Sequence, residues 1–185
     1  MQNTIKFQIE KKLKTLNSRV LSNNKLPLSV IQYDATDIVN CLNTLTRGWP
    51  TIGKEVANVE KKIQKLLKTK NAIMLNSGGS SNFLILYLLC SVYAKKKDKL
   101  YSGDEVLTQA LTFVATANAI IYNNAHPVFL DVDLDTMGLS PNAVSAFLDE
   151  YGEVRDDGCY NKKTGRKISA CLPMHTFGFP VHLDE

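Results

Sequence analysis

The spacing of hydrophobic positions changes along the chain, and this change predicts the order of helices and strands. In the N-terminal part, apolar residues recur every three or four positions among lysines, which is typical of amphipathic helices. We predict helices over residues 4–21, 36–45 and 54–68, with a break at residues 23–27. We expect the third helix to pack one apolar face in the core, and that face consists of Val56, Val59, Ile63, Leu66 and Leu67.

From residue 72 onward, short apolar runs alternate with longer helical patterns. We predict strands within residues 72–75, 103–108, 127–132 and 168–173. We predict helices from the turn at 76–82 to about 93, over 112–122 and 141–151, and from 183 to the end. Residues 152–167 are polar and rich in turn formers, which indicates a hairpin or excursion. Strands that alternate with helices at this spacing indicate an α/β fold with a mostly parallel sheet and helices on both faces.

The turn Asn76–Asn82 contains two glycines, three serines and two asparagines between an apolar run and a predicted helix. Glycines allow a ligand to approach the backbone, and serine or asparagine caps a helix. The N–H groups at a helix start favour anions, most often phosphate. The residues alone allow two interpretations, an anion site or a well-capped loop without a ligand. The turn matches neither the Walker spacing nor the GxGxxG pattern.

The carboxyl ends of parallel strands meet at one edge, where ligands gather in α/β sheets. We expect this edge to collect four groups: residues 78–81, residues 112–113, the acidic run Asp131, Asp133 and Asp135, and His175. From the residues alone, Phe113 is expected in the core. No Ser–His–Asp or Cys–His set is apparent, so these residues define no nucleophilic catalyst.

The loop of residues 46–53 carries Trp49, the single tryptophan of the chain, beside glycine and proline. A tryptophan in such a polar loop is either a packed anchor or a contact for a ligand or partner.

Composition narrows the class of protein. With 185 residues and 44% hydrophobic content the chain can bury a core. The net charge is +4, but the lysines are spread along the chain, which favours solvated faces and no nucleic-acid partner. The four cysteines form no CxxC pair, so we expect reduced thiols and no metal site. The N-terminus lacks an apolar signal core and residues 83–93 are too short to span a bilayer, so we expect a cytoplasmic protein without a membrane partner.

Several motifs together resemble the DegT/DnrJ/EryC1/StrS family of nucleotide-sugar aminotransferases. They are GDEVLTQALTFVATANAI at 103–120, PVFLDVD at 127–133, MHTFG at 174–178, and the openings at 48–53 and 76–78. The resemblance covers about residues 30–185. The Cys159–Gly165 excursion and the ACLPMHTFG run that follows are most similar to the branch that aminates UDP-linked 4-keto-6-deoxy-N-acetylhexosamines for polysaccharide or lipopolysaccharide synthesis.

The resemblance implies a pyridoxal phosphate enzyme of fold type I, usually a homodimer with a shared active site. Residues 1–30 would be a helical extension, and residues 31–185 part of the large domain, incomplete at its C-terminus. The implied reaction is a ping-pong transfer of an amino group, commonly from glutamate, to a keto sugar.

The same resemblance implies individual roles for site residues. Backbone amides of Gly78, Gly79 and Ser80 would hold the cofactor phosphate, and Phe113 would stack on its pyridine ring. His175 would lie on the cofactor side, either in direct contact or as a structural histidine. Trp49 and Thr51 would contact the substrate or a partner subunit.

The chain departs from the family pattern in two ways. The family has Ser-Gly-Thr where this chain has Ser77-Gly78-Gly79, so Ser80 or Ser81 would have to supply the hydroxyl to the phosphate. The Schiff-base lysine and the aspartate that pairs with the pyridine nitrogen are expected after residue 185, so no catalytic residue is assigned and we expect the chain alone to be inactive.

Three alternatives stay open. The first is a sugar 3-dehydratase of the same family, which uses histidine in place of the lysine. The second is a non-catalytic, truncated chain that binds sugar or dimerises. The third is a Rossmann-type dinucleotide binder, which fits the fold but not the loop.

Overall fold

The computed structural model describes residues 2–21 and 33–184, and it forms two compact units, residues 1–74 and 75–185. The predicted break at 23–27 and the predicted domain boundary at residue 30 lie outside the described residues. Both stay predictions.

The first unit is helical and contains α1 (Gln2–Leu21), α2 (Ala35–Thr46) and α3 (Lys54–Leu67). These helices confirm the three predicted ones. Helix α2 begins with a capping box, in which the Asp34 carboxylate accepts hydrogen bonds from the N–H groups of Thr36 (2.6 Å) and Asp37 (3.1 Å). The Asp37 carboxylate accepts the Asp34 N–H at 2.9 Å. These backbone donors hold the pKa of Asp34 below its ordinary value because they favour the ionised carboxylate.

The apolar face of α3 is not buried, contrary to the prediction of core packing. Val59, Ile63, Leu66 and Leu67 are exposed, and no residue of α3 is buried. A periodic pattern determines which residues share a face of a helix, but it does not determine what covers that face.

The second unit is an α/β unit with helices α4 (Gly78–Cys90), α5 (Val114–Tyr122) and α6 (Pro141–Tyr151). Its strands are β1 (Glu105–Gln109), β2 (His126–Leu130), β3 (Gly152–Arg155), β4 (Gly158–Asn161) and β5 (Lys167–Cys171). Short 3-10 helices lie at Lys96–Asp98 and Thr176–Gly178. The sheet order is β2-β1-β5-β4-β3; β1 is parallel to β2 and β5, whereas the hairpin β3–β4 joins β5 in antiparallel orientation. This architecture confirms the α/β fold and the hairpin predicted for residues 152–167.

Strand β1 is buried along its whole length and carries a core on each face of the sheet. Val106 packs with Leu86 of α4 and Ile120 of α5 on one face. Leu107, the next residue, packs with β2 and α6 on the other face, where its cluster includes Leu130. Successive side chains of a strand point to opposite faces, so helices cover the sheet on both sides.

A buried carboxylate ties the hairpin to the central strand. Glu105 accepts hydrogen bonds from Asn161 Nδ2 at 2.9 Å and Thr164 Oγ1 at 2.7 Å. A buried carboxylate needs such donors, because desolvation of an unpaired charge is costly. These bonds hold the antiparallel hairpin against the amino end of β1.

Two predicted elements are absent from the described residues. Residues 72–75 were expected to form a buried strand, but they pair with no described strand, and Ile73 is 75% exposed. A strand exists only through hydrogen bonds to a neighbour, so apolar composition does not suffice. Leu183 and Asp184 are not helical, which contradicts the predicted helix start, and Glu185 lies outside the described residues.

The structure also shows the state of the four cysteines and whether any described helix could span a membrane. Cys41, Cys90, Cys159 and Cys171 are all free in this structure, and that the thiols are reduced stays a prediction. Among the described helices, none has the length and apolarity required to cross a bilayer.

Candidate functional site

The loops that follow β1, β2 and β5 open at the same edge of the sheet, because these three strands are parallel. This confirms the predicted edge for three of the four loops. The fourth was assigned to a strand at residues 72–75, which the structure does not contain.

Helix α4 begins with the two glycines of the predicted turn. Ser77 is the N-cap, and its Oγ accepts the Ser80 N–H at 3.1 Å. The first helical backbone bond runs from Ser81 N–H to Ser77 O at 3.1 Å. The N–H groups of Gly78 and Gly79 precede that bond, so they have no intrahelical acceptor and point out of the helix end. A helix terminus of this kind carries partial positive charge.

The first turn of α4 lies against the first turn of α5. A Cβ placed on Gly79 would lie 3.8 Å from Ala115 Cβ and 3.8 Å from Ser77 Oγ, which is ordinary contact. A Cβ on Gly78 would meet nothing within 4 Å. A surface cavity of about 290 Å³ follows this contact along both helices and is lined by Gly79, Ser80, Phe83, Ala115, Asn118, Ala119 and Tyr122.

Phe113 is the N-cap residue of α5 and lies two positions before Ala115. Its side chain is 72% exposed, so it is not the core residue that the residues alone suggested. The preceding hydroxyl, Thr112 Oγ1, lies 3.0 Å from Thr116 Oγ1 and 3.3 Å from Met174 Sδ. These contacts join the start of α5 to the loop after β5, and they leave the Phe113 ring accessible at the start of α5.

Gln109, at the end of β1, organises the loops at this edge. It is fully buried, and its Nε2 donates to Leu111 O (3.1 Å), Met137 O (3.4 Å) and Thr176 Oγ1 (3.1 Å). Its Oε1 accepts the N–H groups of Leu139 (3.2 Å) and Met174 (2.8 Å). Gln109 was not among the site residues predicted from the sequence. The only signal was an amide side chain at the end of the strand that contains Val106 and Leu107.

His175 lies in the loop after β5, at the predicted edge. Its Nδ1 accepts the Val181 N–H at 3.2 Å, which closes this loop on itself. The ring is exposed. One ring nitrogen therefore has a structural partner, and direct contact with a cofactor stays a prediction.

The acidic run contacts the loop after β5 and not the start of α4. Asp135 Oδ2 lies 3.1 Å from His182 Nε2, and this hydrogen bond lowers the pKa of Asp135. Asp131 caps its own loop by accepting the Val132 N–H at 2.9 Å. Among the described residues, no hydrogen bond links this run to residues 78–81. The edge is therefore divided into an acidic part and a part rich in backbone N–H donors.

Trp49 belongs to the first unit and lines a cavity there. Its Nε1 donates to Ile52 O at 3.1 Å, yet the side chain is 67% exposed. The cavity has a volume of about 470 Å³ and is lined by Thr44, Arg47, Trp49, Thr51, Gly53, Lys54, Glu55 and Val56. Arg47 Nη1 bonds Glu55 Oε1 at 2.9 Å, and this bond lowers the pKa of Glu55. Trp49 and Thr51, the two predicted substrate contacts, therefore line the same cavity.

Comparison with known proteins identifies the family of most of the chain. Residues 32–185 match the sequence profile of the DegT/DnrJ/EryC1/StrS aminotransferase family. The chain is 35% identical over 124 residues to the spore coat polysaccharide biosynthesis protein SpsC of Bacillus subtilis (67% of this chain, 30% of SpsC). It is 34% identical over 164 residues to the UDP-4-amino-4-deoxy-L-arabinose–oxoglutarate aminotransferase of Shewanella sediminis (89% of this chain, 36% of that protein).

A solved structure shares the fold. The GDP-4-keto-6-deoxy-D-mannose-3-dehydratase of E. coli with bound hydrated PLP superposes with a TM-score of 0.60 at 22% identity, over 72% of this chain and 32% of that one. The chain thus spans about a third of the length of the relatives that it matches. On the match over residues 32–185, the chain belongs to the DegT/DnrJ/EryC1/StrS aminotransferase family.

Proposed function

We propose that this chain binds the phosphate of pyridoxal phosphate at the start of α4, within an aminotransferase that acts on a nucleotide-linked 4-keto-6-deoxy sugar. The proposal rests on the structure of the N-terminus of α4. Two successive glycines there present N–H groups without intrahelical acceptors, beside the first turn of α5. Backbone N–H groups at a helix start are the usual protein ligands of phosphate.

The residues at this helix start fit a phosphate ester. Neither glycine has a positive φ, and the protein itself leaves room for a Cβ at both positions. The fold alone therefore does not require glycine at either position, whereas close approach of an oxyanion does. The Ser80 hydroxyl lies one residue further on, 3.1 Å from Ser77 Oγ, and can still donate its own proton. We assign Ser80 the hydroxyl contact that the family makes with threonine.

Phe113 completes the proposed cofactor site. Its exposed ring follows Thr112, whose contacts fix the start of α5. In the proposal, this ring covers the pyridine face and excludes water from it. When bound, the cofactor supplies the electron sink for amino-group transfer. His175 Nδ1 already accepts the Val181 N–H, so a direct contact of His175 with the cofactor would use Nε2.

The finer assignments follow from the family and are part of the proposal. The amino donor is glutamate, which is converted to oxoglutarate as the keto sugar gains the amino group. The name of the Shewanella relative supports this pairing, and that of SpsC supports a role in polysaccharide synthesis. We further propose a cytoplasmic homodimer, with Trp49 and Thr51 at the substrate. No lysine of residues 1–185 occupies the family's Schiff-base motif, so we assign the proton-shuttling lysine to none of them.

Binding of the cofactor phosphate is tested with two ligands that differ only in that group. The chain is titrated with pyridoxamine phosphate and with pyridoxamine by calorimetry. We expect measurable binding of pyridoxamine phosphate, competition by inorganic phosphate, and much weaker binding of pyridoxamine. Equal affinities for the two ligands would contradict the phosphate site at α4.

The reaction is tested on the protein that contains this chain. We expect it to convert a UDP-linked 4-keto-6-deoxy-N-acetylhexosamine and glutamate to the 4-amino sugar and oxoglutarate, as detected by mass spectrometry. A 3-deoxy product instead would identify the family's dehydratase reaction. Recovery of unreacted keto sugar, with phosphate-dependent cofactor binding intact, would exclude both activities for this substrate.

A further inference from the structure

The amide of Gln109 has two kinds of partner, and each kind uses a different atom of the side chain. Its Nε2 donates to backbone carbonyls, at 3.1 Å for Leu111 O and 3.4 Å for Met137 O. Its Oε1 accepts backbone N–H groups, at 3.2 Å for Leu139 and 2.8 Å for Met174. The side chain is fully buried. An amide satisfies both kinds of partner, whereas a carboxylate only accepts and an apolar side chain does neither.

These bonds hold the segment that leads into Phe113. Leu111, two residues before Phe113, is bonded directly by Gln109 Nε2. Thr112, one residue before it, is reached through Met174. The Met174 N–H donates to Gln109 Oε1, and Met174 Sδ lies 3.3 Å from Thr112 Oγ1. Both residues that precede Phe113 are therefore tied to one buried amide.

The Phe113 ring depends on this segment for its direction. The ring is 72% exposed, and none of the described aromatic rings stacks on it. Phe113 begins α5 without a side-chain hydrogen bond. The direction of a side chain follows from the backbone that carries it, so residues 111–113 determine where the ring points. A ring whose backbone is fixed before binding loses less conformational entropy when it stacks on a ligand.

Gln109 has no comparable link to the start of α4. Within the part of the chain that the structure describes, no hydrogen bond joins Gln109 to residues 77–81. That helix start is held by its own cap, in which Ser77 Oγ accepts the Ser80 N–H at 3.1 Å. Loss of the Gln109 amide should therefore affect contacts with the ring of a cofactor and not contacts with its phosphate.

We propose that Gln109 is a positioning residue for the cofactor ring, because it holds residues 111 and 112 so that Phe113 can stack on a flat heterocycle. The assignment rests on the cofactor site of the proposed function. It adds a buried residue that acts through Phe113. Binding of the ring then requires the Gln109 amide, and this requirement disappears when the Phe113 side chain is removed.

Calorimetric titration with pyridoxamine phosphate and with inorganic phosphate separates ring contacts from phosphate contacts. Gln109→Met is the main variant, because methionine is an unbranched, uncharged side chain that cannot replace the amide. Gln109→Glu is the second variant and keeps the acceptor while it loses the donor to Leu111 O. We expect both to weaken the binding of pyridoxamine phosphate by about 2- to 10-fold, the contribution of one aromatic contact. Their affinity for inorganic phosphate should be unchanged.

A double-mutant cycle tests whether Gln109 acts through the ring. In a chain that already carries Phe113→Ala, we expect Gln109→Met to cause no further loss of affinity for pyridoxamine phosphate. A purely structural role would give the same loss with and without the ring. Gln8→Met, at an exposed position of α1, is the matched control and should leave both affinities unchanged. Circular dichroism verifies that each variant retains its helices.

Three results would overturn the role of Gln109. They are an unchanged affinity of the folded variants for pyridoxamine phosphate, an equal loss of affinity for both ligands, and an equal loss with and without the Phe113 ring. Loss of helical circular dichroism in both Gln109 variants would also overturn it, since Gln109 would then be required for folding. If the unmodified chain binds neither ligand, the cofactor site itself is wrong, and the role of Gln109 with it.

Discussion

Replacing Gly79 with alanine separates the role of this glycine in folding from its role in binding phosphate. The added Cβ would lie 3.8 Å from Ala115 Cβ and Ser77 Oγ, so the folded chain accepts it without a clash. Alanine is favoured over glycine in a helix by about 0.5–1 kcal/mol. For a chain of this size we expect the melting temperature to stay level or to rise by about 1–4 °C.

The effect on the proposed ligand has the opposite sign. A methyl group at the helix start obstructs the approach of an oxyanion to the Gly79 N–H. Loss of one hydrogen bond to a charged group costs about 1.5–3 kcal/mol, which weakens binding by about 10- to 150-fold. Calorimetric titration with pyridoxamine phosphate measures this loss, and pyridoxamine serves as the ligand control.

Ser145→Ala is the control variant, because it also raises helix propensity but lies on α6, which packs on the other face of the sheet. Its affinity for pyridoxamine phosphate should equal that of the unmodified chain. If Gly79→Ala is as stable as expected and binds pyridoxamine phosphate with unchanged affinity, no phosphate is bound by these backbone amides.

Substitutions at three further positions test other parts of the structure. Gln109→Leu leaves the N–H groups of Leu139 and Met174 without their acceptor. Urea denaturation should therefore show that the free energy of unfolding falls by about 2–5 kcal/mol. The control Gln8→Leu, at an exposed position of α1, should change it very little. Ser77→Ala removes the cap of α4 and should cost about 1 kcal/mol, whereas Ser77→Asp should keep the cap and still repel pyridoxamine phosphate. The lowered pKa of Asp34 means that its stabilising effect is present above the ordinary carboxylate pKa and is lost as pH falls below about 4 through the folded value. Helical circular dichroism on acidification should therefore decline more in the unmodified chain than in Asp34→Asn, which keeps the acceptor but does not titrate.

Much of the local structure was predictable because its causes are local. The periodic apolar positions of α1, α2 and α3 and the Ser140–Pro141 start of α6 depend on residues a few positions apart. The capping role of Ser77 was likewise predictable, since a serine that precedes an apolar helical segment is a favoured N-cap residue. The predicted helix start within residues 76–82 was therefore correct, whereas the anion site there stays a prediction.

Other features depend on residues that are distant in sequence. Phe113 was expected in the core from its own neighbourhood, yet its side chain is 72% exposed at the start of α5, next to the Thr112–Thr116 hydrogen bond. Gln109 is a hub only because three loops converge on it, and no spacing in the sequence brings them together. The acidic run was expected near the glycines but pairs instead with the loop that carries His182.

The sequence alone determined where helices begin, which residues share a face, and that glycines and a serine cap open helix α4, since these are short-range effects of backbone and side-chain chemistry. Only the tertiary structure decided which faces are covered, which apolar run is a strand, and which polar groups meet. A strand at 72–75 requires a hydrogen-bonding neighbour, and burial of the α3 face requires a partner surface. Both conditions are long-range, and a local pattern cannot encode them.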